Sequence, residues 1–172
     1  MKIFITTLIF MTLFSCSNSE KNNLGNGFHI MKGDREEDDV VVYCKEKDNS
    51  GCFAGIYIVP SYDLHYDSTG KYHVHVLGAA VNNNVIAVET FNKLTADTNY
   101  WFINKSLSFH LDTCVVDCEK SINKYCEGPF NKERALEYFG AKKIKLKKMY
   151  GHSKIFSDYM KGMYLYLLED HT

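Results

Sequence analysis

The sequence has 172 residues, 45% of them hydrophobic and 24% charged, which is typical of a globular chain with room for one domain and argues against disorder. The formal net charge is −1, and arginine occurs only at Arg35 and Arg134. Because arginine is the usual residue for bidentate phosphate recognition, this composition argues against nucleic acid as a partner.

The first fifteen residues have the pattern of an export signal. Lys2 supplies a positive charge, and residues 3–14 form a predominantly apolar run without any charge. Such a run suits the core of a signal peptide and is shorter than the roughly 20 residues that a membrane-spanning helix requires. We therefore predict a signal peptide over residues 1–15.

The residues around Cys16 resemble a known sorting motif. Leu13, Phe14, Ser15 and Cys16 are similar to the lipobox of bacterial lipoproteins, in which the cysteine thiol receives a diacylglycerol and becomes the new N-terminus. Phe14 departs from the motif, because that position is usually small, and an ordinary cleaved signal is the alternative. The resemblance implies a membrane anchor through lipid on Cys16. Because Ser17 rather than aspartate follows, it favours the periplasmic face of the outer membrane or the cell surface over the inner membrane.

Residues 16–27 are polar and small, as a flexible tether between a lipid anchor and a folded domain should be. A single globular domain is then predicted over residues 28–172. Its first part is rich in β-branched and aromatic residues punctuated by turn signals, which predicts six strands at short spacing. These strands cover residues 28–32, 39–44, 53–60, 72–81, 85–91 and 100–104.

Five cysteines remain for an exported chain, and that compartment favours disulfides. Cys44 and Cys52 bracket a turn-rich loop between two apolar runs, so a bridge across a hairpin is expected. Cys114, Cys118 and Cys126 form a second group, which leaves one thiol over. A bridge within that group is favoured over a metal site in which His110 would join these three cysteines, since the Cys-x2-Cys spacing of structural zinc sites is missing.

The C-terminal third changes to a helical period. Asn131 is a suitable N-cap for a helix that Gly140 should end, and residues 144–149 are a candidate final strand. From Ser153 onward, hydrophobic residues repeat at helical spacing, although residues 163–168 could instead form an edge strand. The expected class is α+β: an antiparallel sheet or partly open barrel of about six to seven strands, with one or two C-terminal helices packed on it.

Two charge clusters stand out, and both are interpreted first as solvated surface. One is an acidic turn formed by Asp34, Glu36, Glu37, Asp38 and Asp39. The other is a basic segment that contains no acid and offers a face to an acidic partner or to anionic head groups. Its lysines are Lys142, Lys143, Lys145, Lys147 and Lys148, with Lys154 further along.

Histidine supplies the remaining candidate chemistry. His73 and His75 lie two residues apart on a predicted strand, so both should point to one side, and with the neighbouring valines inward that side should face solvent. Together with His65 they are the candidate metal ligands of an alternative hypothesis, a metal-dependent hydrolase of the cell envelope. No nucleophile elbow, metalloprotease helix or phosphate-binding glycine loop occurs, and no cofactor is predicted.

Several fragments together resemble a family of small bacterial lipoproteins of unknown function. The similarity lies in their order and spacing and covers about residues 25–146, while the cysteine group and the tail depart from it. The fragments are residues 25–28, 58–60, 85–88, 100–105 and 128–130. Because the family has no established activity, the resemblance implies no catalytic residue.

The favoured hypothesis is therefore a non-enzymatic, membrane-anchored module that binds another protein in the cell envelope. One version is an immunity or inhibitor protein directed against an incoming toxin. Small size, a single domain, a lipid anchor and charge asymmetry all suit this function.

Overall fold

The computed structural model describes residues 22–48, 51–105, 124–151 and 153–169. The predicted signal peptide, Cys16, His110, Cys114 and Cys118 lie outside these ranges. Within the described residues, no helix is both long enough and apolar enough to cross a membrane.

The N-terminal part forms a four-stranded antiparallel sheet in the order β1-β2-β3-β4. Its strands are β1 (Asn23–Gly25), β2 (Phe28–Met31), β3 (Val40–Asp48) and β4 (Gly51–Val59). Cys44 in β3 and Cys52 in β4 are disulfide-bonded, with their Cα atoms 5.7 Å apart. The predicted bridge across this hairpin is confirmed.

A second antiparallel sheet follows, with five strands in the order β8-β7-β6-β5-β9. Asn82 closes the hairpin between β5 and β6, where its side-chain oxygen accepts hydrogen bonds from the backbone N–H groups of Asn84 and Val85, each 2.8 Å long. The asparagine-rich turn is thus confirmed as a hairpin. The strands are β5 (Val74–Val81), β6 (Val85–Asn92), β7 (Asp97–Asn104), β8 (Cys126–Phe130) and β9 (Lys148–Gly151).

Three α-helices accompany the sheets in the described residues: α1 (Tyr62–His65), α2 (Lys132–Ala141) and α3 (Lys154–Glu169). Asn131 caps α2 as predicted, because its side chain accepts a hydrogen bond of 3.0 Å from the backbone N–H of Arg134. The tail is helical through Glu169, so residues 163–168 continue a helix and do not form a strand.

The five-stranded sheet lies in the middle of the molecule and has a hydrophobic core on each face. Alternate residues of β6 show this: Ile86 and Val88 belong to the core shared with the four-stranded sheet, whereas Ala87 packs with Phe139 of α2 and Phe156 of α3. The predicted α+β class with antiparallel strands and C-terminal helices is confirmed. The strands form two sheets, and neither closes into a barrel.

The start of the domain differs from the expected tether. Leu24 of β1 is buried in the core shared by the two sheets, although residues up to 27 are predicted to be flexible. Gly25, Asn26 and Gly27 all have positive φ, which glycine and asparagine tolerate, and this allows a tight turn from β1 to β2. The Gly-Asn-Gly sequence is therefore a hairpin turn rather than a linker.

Three short elements also differ from the predictions. The strand predicted at residues 144–149 is displaced to β9, while α1 and β8 are not predicted at all. In β8, Gly128 adopts a φ of 142° and Pro129 follows it, and both residue types normally argue against a strand. β8 is at the edge of its sheet, where such residues are tolerated.

Candidate functional site

The predicted basic segment is held firmly against the domain. Ile144 and Leu146 are buried beside α2 and α3, and the backbone is hydrogen-bonded to the rest of the domain at Ile144 and at Lys147. The Tyr159 hydroxyl donates a hydrogen bond of 2.9 Å to the carbonyl of Ile144. The backbone N–H of Lys147 donates one of 2.7 Å to the carbonyl of Val81. The lysines that alternate with these buried residues are therefore presented from a fixed backbone.

All five predicted lysines of this segment are exposed, and none is in an ion pair with any residue that the structure describes. We call Lys142, Lys143, Lys145, Lys147 and Lys148 the basic face. Three of them have neutral contacts within the domain: Lys147 Nζ lies 3.3 Å from Asn83 Oδ1, Lys142 lies over Tyr138 and Lys148 over Tyr150. The positive charge of this surface is thus left without a neutralising carboxylate in the described structure.

The acidic turn is not the uniformly solvated surface that the sequence suggests. The Asp39 side chain is 12% exposed and its Oδ2 lies 3.0 Å from Lys32 Nζ, and the Asp38 side chain is equally buried. Glu37 Oε2 lies 2.6 Å from Lys93 Nζ, and this partner lowers the pKa of Glu37. Glu37, Asp38 and Asp39 thus each have a cationic partner within the domain.

The three candidate histidines occupy different environments. His65 is fully buried in α1, where its Nδ1 donates a hydrogen bond of 2.6 Å to the carbonyl of Val74. His73 precedes β5 and places its Nε2 3.1 Å from Asp67 Oδ2, and His75 lies beside the ring of Phe91. Among the described residues, no group of three or more His, Cys, Asp or Glu side chains is arranged to hold a metal ion.

The expected exposure of the histidine pair is wrong. His75 is only 7% exposed, because the second face of β5 is covered as well as the valine face. Burial lowers the pKa of both His65 and His75. Both rings are therefore favoured in the neutral form.

Cys126 is a free thiol at the start of β8. Burial raises its pKa to about 12, which suppresses the thiolate that nucleophilic or metal-binding chemistry requires. The pairing of Cys114 and Cys118 lies outside the described residues.

A cleft of about 520 Å³ opens between the five-stranded sheet and the two longer helices. Glu89 of β6 lines it and is 7% exposed. Its Oε1 accepts a hydrogen bond of 3.3 Å from the hydroxyl of Tyr100, whereas its buried Oε2 has no hydrogen-bond partner among the described residues. The remaining lining residues are Lys132 and Leu136 of α2, and Lys154, Ile155, Asp158 and Tyr159 of α3.

Sequence reasoning missed Glu89, although a signal is present. In β6 the carboxylate interrupts a strand that is apolar on both faces, Val85–Asn92. A strand that is apolar on both faces is one that is covered on both faces. A single acidic residue within it is therefore expected to be buried, and a buried carboxylate requires a partner.

Two further clefts contain carboxylates that already have partners. A cleft of about 510 Å³ beside β5 and β9 contains Asp39, which pairs with Lys32. Another lies beside α1 and contains Asp67, which accepts hydrogen bonds from Thr69 and Lys71. Glu89 thus differs from these two in having an unbonded buried oxygen.

Comparisons with family models, curated proteins and solved structures found no match for this chain.

Proposed function

We propose that the protein is a non-enzymatic binding module that recognises an acidic protein partner through its basic face. The observation that carries the proposal is the exposure of five lysines within seven residues on a backbone held from both sides, without an ion pair among the described residues. A fixed patch of one sign attracts an oppositely charged surface and accelerates association with it.

The stability of the domain does not account for this arrangement. Lysines that lie close together repel one another, so the cluster opposes the folded state rather than supporting it. Burial of Ile144 and Leu146 would hold the segment in place with any polar residues at the alternating positions. The presence of lysine at all five exposed positions of the basic face is therefore better explained by recognition than by folding.

We further propose that lipid on Cys16 anchors this module in the cell envelope, on the periplasmic face of the outer membrane or on the cell surface. This part rests on the apolar leader, the lipobox resemblance and the polar residues that follow Cys16. A toxin arriving in the envelope would be one fitting partner, which makes the protein an immunity or inhibitor lipoprotein. An adjacent toxin gene would support that version.

The anchor is tested by membrane fractionation of cells that express the full chain. We expect Cys16→Ser to release the protein from the membrane fraction, and globomycin, which blocks lipoprotein signal cleavage, to cause the unprocessed form to accumulate. If neither treatment changes processing or fractionation, the lipid anchor is wrong while the basic-face proposal remains testable.

The basic face is tested with two triple variants of equal charge change. The test variant replaces Lys143, Lys145 and Lys147 with glutamine, and the control replaces three exposed lysines elsewhere, namely Lys71, Lys124 and Lys161. Cross-linked partners of the full-length proteins are captured from detergent-solubilised envelope and identified by mass spectrometry. We expect the test variant and raised salt, but not the control, to remove a specific acidic protein, because salt screens such contacts.

Binding to vesicles that contain phosphatidylglycerol is measured in parallel with the same three proteins. If the test variant loses vesicle binding and no protein partner depends on the three lysines, the partner is a lipid surface and the proposal is overturned. Equal behaviour of the two triple variants toward every captured protein would also overturn it.

A further inference from the structure

The buried carboxylate of Glu89 is the strongest indication of a second binding site. Its side chain is more than nine-tenths buried, and Oε2 is shielded from solvent without a hydrogen-bond partner among the described residues. A buried polar atom without a partner is costly, and a ligand that supplies a donor removes that cost. A site built around such an atom therefore favours a ligand that carries N–H groups.

The environment of Glu89 favours a donor that is also a cation. Tyr100 already supplies a neutral hydroxyl to Oε1, and the pKa of Tyr100 is raised by burial and by Glu89, so this hydroxyl keeps its proton. Asp158 adds a second carboxylate to the lining of the cleft. Within the described residues, neither acid is in an ion pair.

Two cations line the same cleft from the helices. Lys132 lies at the start of α2 and Lys154 at the start of α3, and both side chains are exposed and outside any ion pair within the described structure. They offer charge to the anionic end of a ligand at the rim, while Glu89 lies at the sheet beneath the helices. The cleft therefore has complementary groups for both ends of a zwitterion.

The remaining wall is apolar. Leu136, Ile155 and Tyr159 supply hydrophobic surface between the charged groups. The volume of about 520 Å³ falls within the roughly 300–1,000 Å³ that small-molecule sites occupy.

We propose that the cleft between β6, β7, α2 and α3 binds a small zwitterion with an apolar body, of the class of α-amino acids with hydrophobic side chains. The ligand's ammonium group donates to the carboxylate of Glu89, and its own carboxylate is held at the rim by Lys132 and Lys154. The apolar body packs against Leu136, Ile155 and Tyr159. This site is separate from the basic face and does not depend on it.

Three probes with one aromatic body separate the parts of this proposal. L-phenylalanine carries both charges, benzylamine only the ammonium group, and phenylacetate only the carboxylate. Each is titrated into the full chain in detergent by isothermal calorimetry. We expect L-phenylalanine to bind at least about tenfold more tightly than either of the others, because it alone uses both ends of the cleft. If none of the three probes gives a binding heat at millimolar concentration, the proposal is overturned.

Variants test the two ends independently. Glu89→Gln keeps the size of the side chain and an acceptor for Tyr100, and we expect it to weaken L-phenylalanine and benzylamine by about tenfold or more. Glu137→Gln is the matched control, since Glu137 is an exposed residue of α2 that is not among the residues lining the cleft. Equal affinities in the two variants overturn the proposal.

The rim is tested by replacing Lys132 and Lys154 with glutamine, and both are exposed. This double variant should weaken L-phenylalanine while leaving benzylamine unchanged. It also decides the question if Glu89→Gln fails to fold. If the double variant and the wild-type protein bind all three probes alike, no carboxylate is held at the rim and the zwitterion proposal is wrong.

Discussion

The hydroxyl of Tyr150 donates a hydrogen bond of 2.6 Å to the backbone carbonyl of Asn23, which lies 127 positions earlier in the sequence. Asn23 begins β1, an edge strand of the four-stranded sheet, and Tyr150 lies in β9, an edge strand of the five-stranded sheet. This bond therefore joins the two sheets at their edges. It also connects the start of the folded domain to the strand that contains Lys148 of the basic face.

Removing that hydroxyl should weaken the junction measurably. We expect Tyr150→Phe to lower the free energy of unfolding by about 1 kcal/mol, because the ring remains packed while the partly buried carbonyl of Asn23 loses its donor. Urea titration measures the change. Tyr125→Phe is the control, since the Tyr125 hydroxyl has no hydrogen bond with the described residues, and its effect should stay within about 0.5 kcal/mol. Equal effects of the two substitutions would contradict the structural role of this bond.

The disulfide should contribute to stability mainly by restricting the unfolded chain. Cys44 and Cys52 are 8 residues apart, and closing a loop this short is worth about 2.5 kcal/mol in the chain-entropy description. The double substitution of both cysteines with alanine should therefore lower the free energy of unfolding by that amount. Reductant should destabilise the wild-type protein similarly and leave the double variant unchanged. A variant that responds to reductant as strongly as the wild type would show that another bridge dominates.

The core under the helices should be more sensitive than any surface position. Phe139 of α2 is fully buried and contacts the rings of Phe102, Phe156 and Tyr159. We expect Phe139→Ala to cost about 3–5 kcal/mol through lost burial and the cavity that it leaves. Leu94→Ala, at a side chain that is 69% exposed, should change stability by less than about 0.5 kcal/mol. Denaturant unfolding of both variants measures the contrast, and a small loss for Phe139→Ala would place the residue outside a packed core.

The fold was largely predictable where a local signal determines structure. The asparagine turn at residues 82–84 specifies the β5–β6 hairpin by itself, and Asn131 caps α2 through its own side chain. The pairing of Cys44 with Cys52 follows equally from a short loop between apolar runs. Each of these signals acts within a few residues, so one sequence suffices to identify it.

Features that depend on distant partners could not be predicted in this way. Leu24 lies in a polar stretch of the sequence, and its burial depends on the core that the second sheet completes. His75 has the sequence context of an exposed residue, and its burial depends on the covering of both faces of its strand. The division of the strands into two sheets depends on which strands pair, which residue patterns do not specify. In the candidate sites, the basic face is evident in the sequence as a run of lysines, whereas the cleft around Glu89 is formed only when the helices pack over the sheet.

Cys126 should behave as an inert thiol in the folded protein. Burial raises its pKa to about 12, so almost no thiolate is present at neutral pH. We expect a thiol-reactive disulfide reagent to modify Cys126 far more slowly in native protein than in urea, with mass spectrometry identifying the labelled residue. Equal rates in the two conditions would contradict the shielding of this partly buried thiol.

Acid should destabilise the domain through the buried histidines His65 and His75. Burial is the main cause of the lowered pKa of His65 and of His75, and the Lys93 charge lowers the pKa of His75 further. In the unfolded chain both rings titrate near the usual value of 6.5. Below that pH the unfolded state binds more protons than the folded state, so the free energy of unfolding falls as the pH falls. The stabilisation is complete above about pH 6.5 and continues to be lost until the pH passes the lowered folded pKa values.

Urea titrations at neutral pH and at about pH 5 measure this slope, because the two pH values span the range where histidine titrates. We expect the double variant His65→Asn/His75→Asn to be less stable at neutral pH but to show a smaller loss between the two pH values. Asp67, whose pKa is lowered to about 2, chiefly by its hydrogen bond from Thr69, does not account for the slope that remains. Since that carboxylate stays ionised at about pH 5, it contributes little in this window. If the double variant loses as much stability between the two pH values as the wild-type protein, neither histidine contributes to the acid destabilisation.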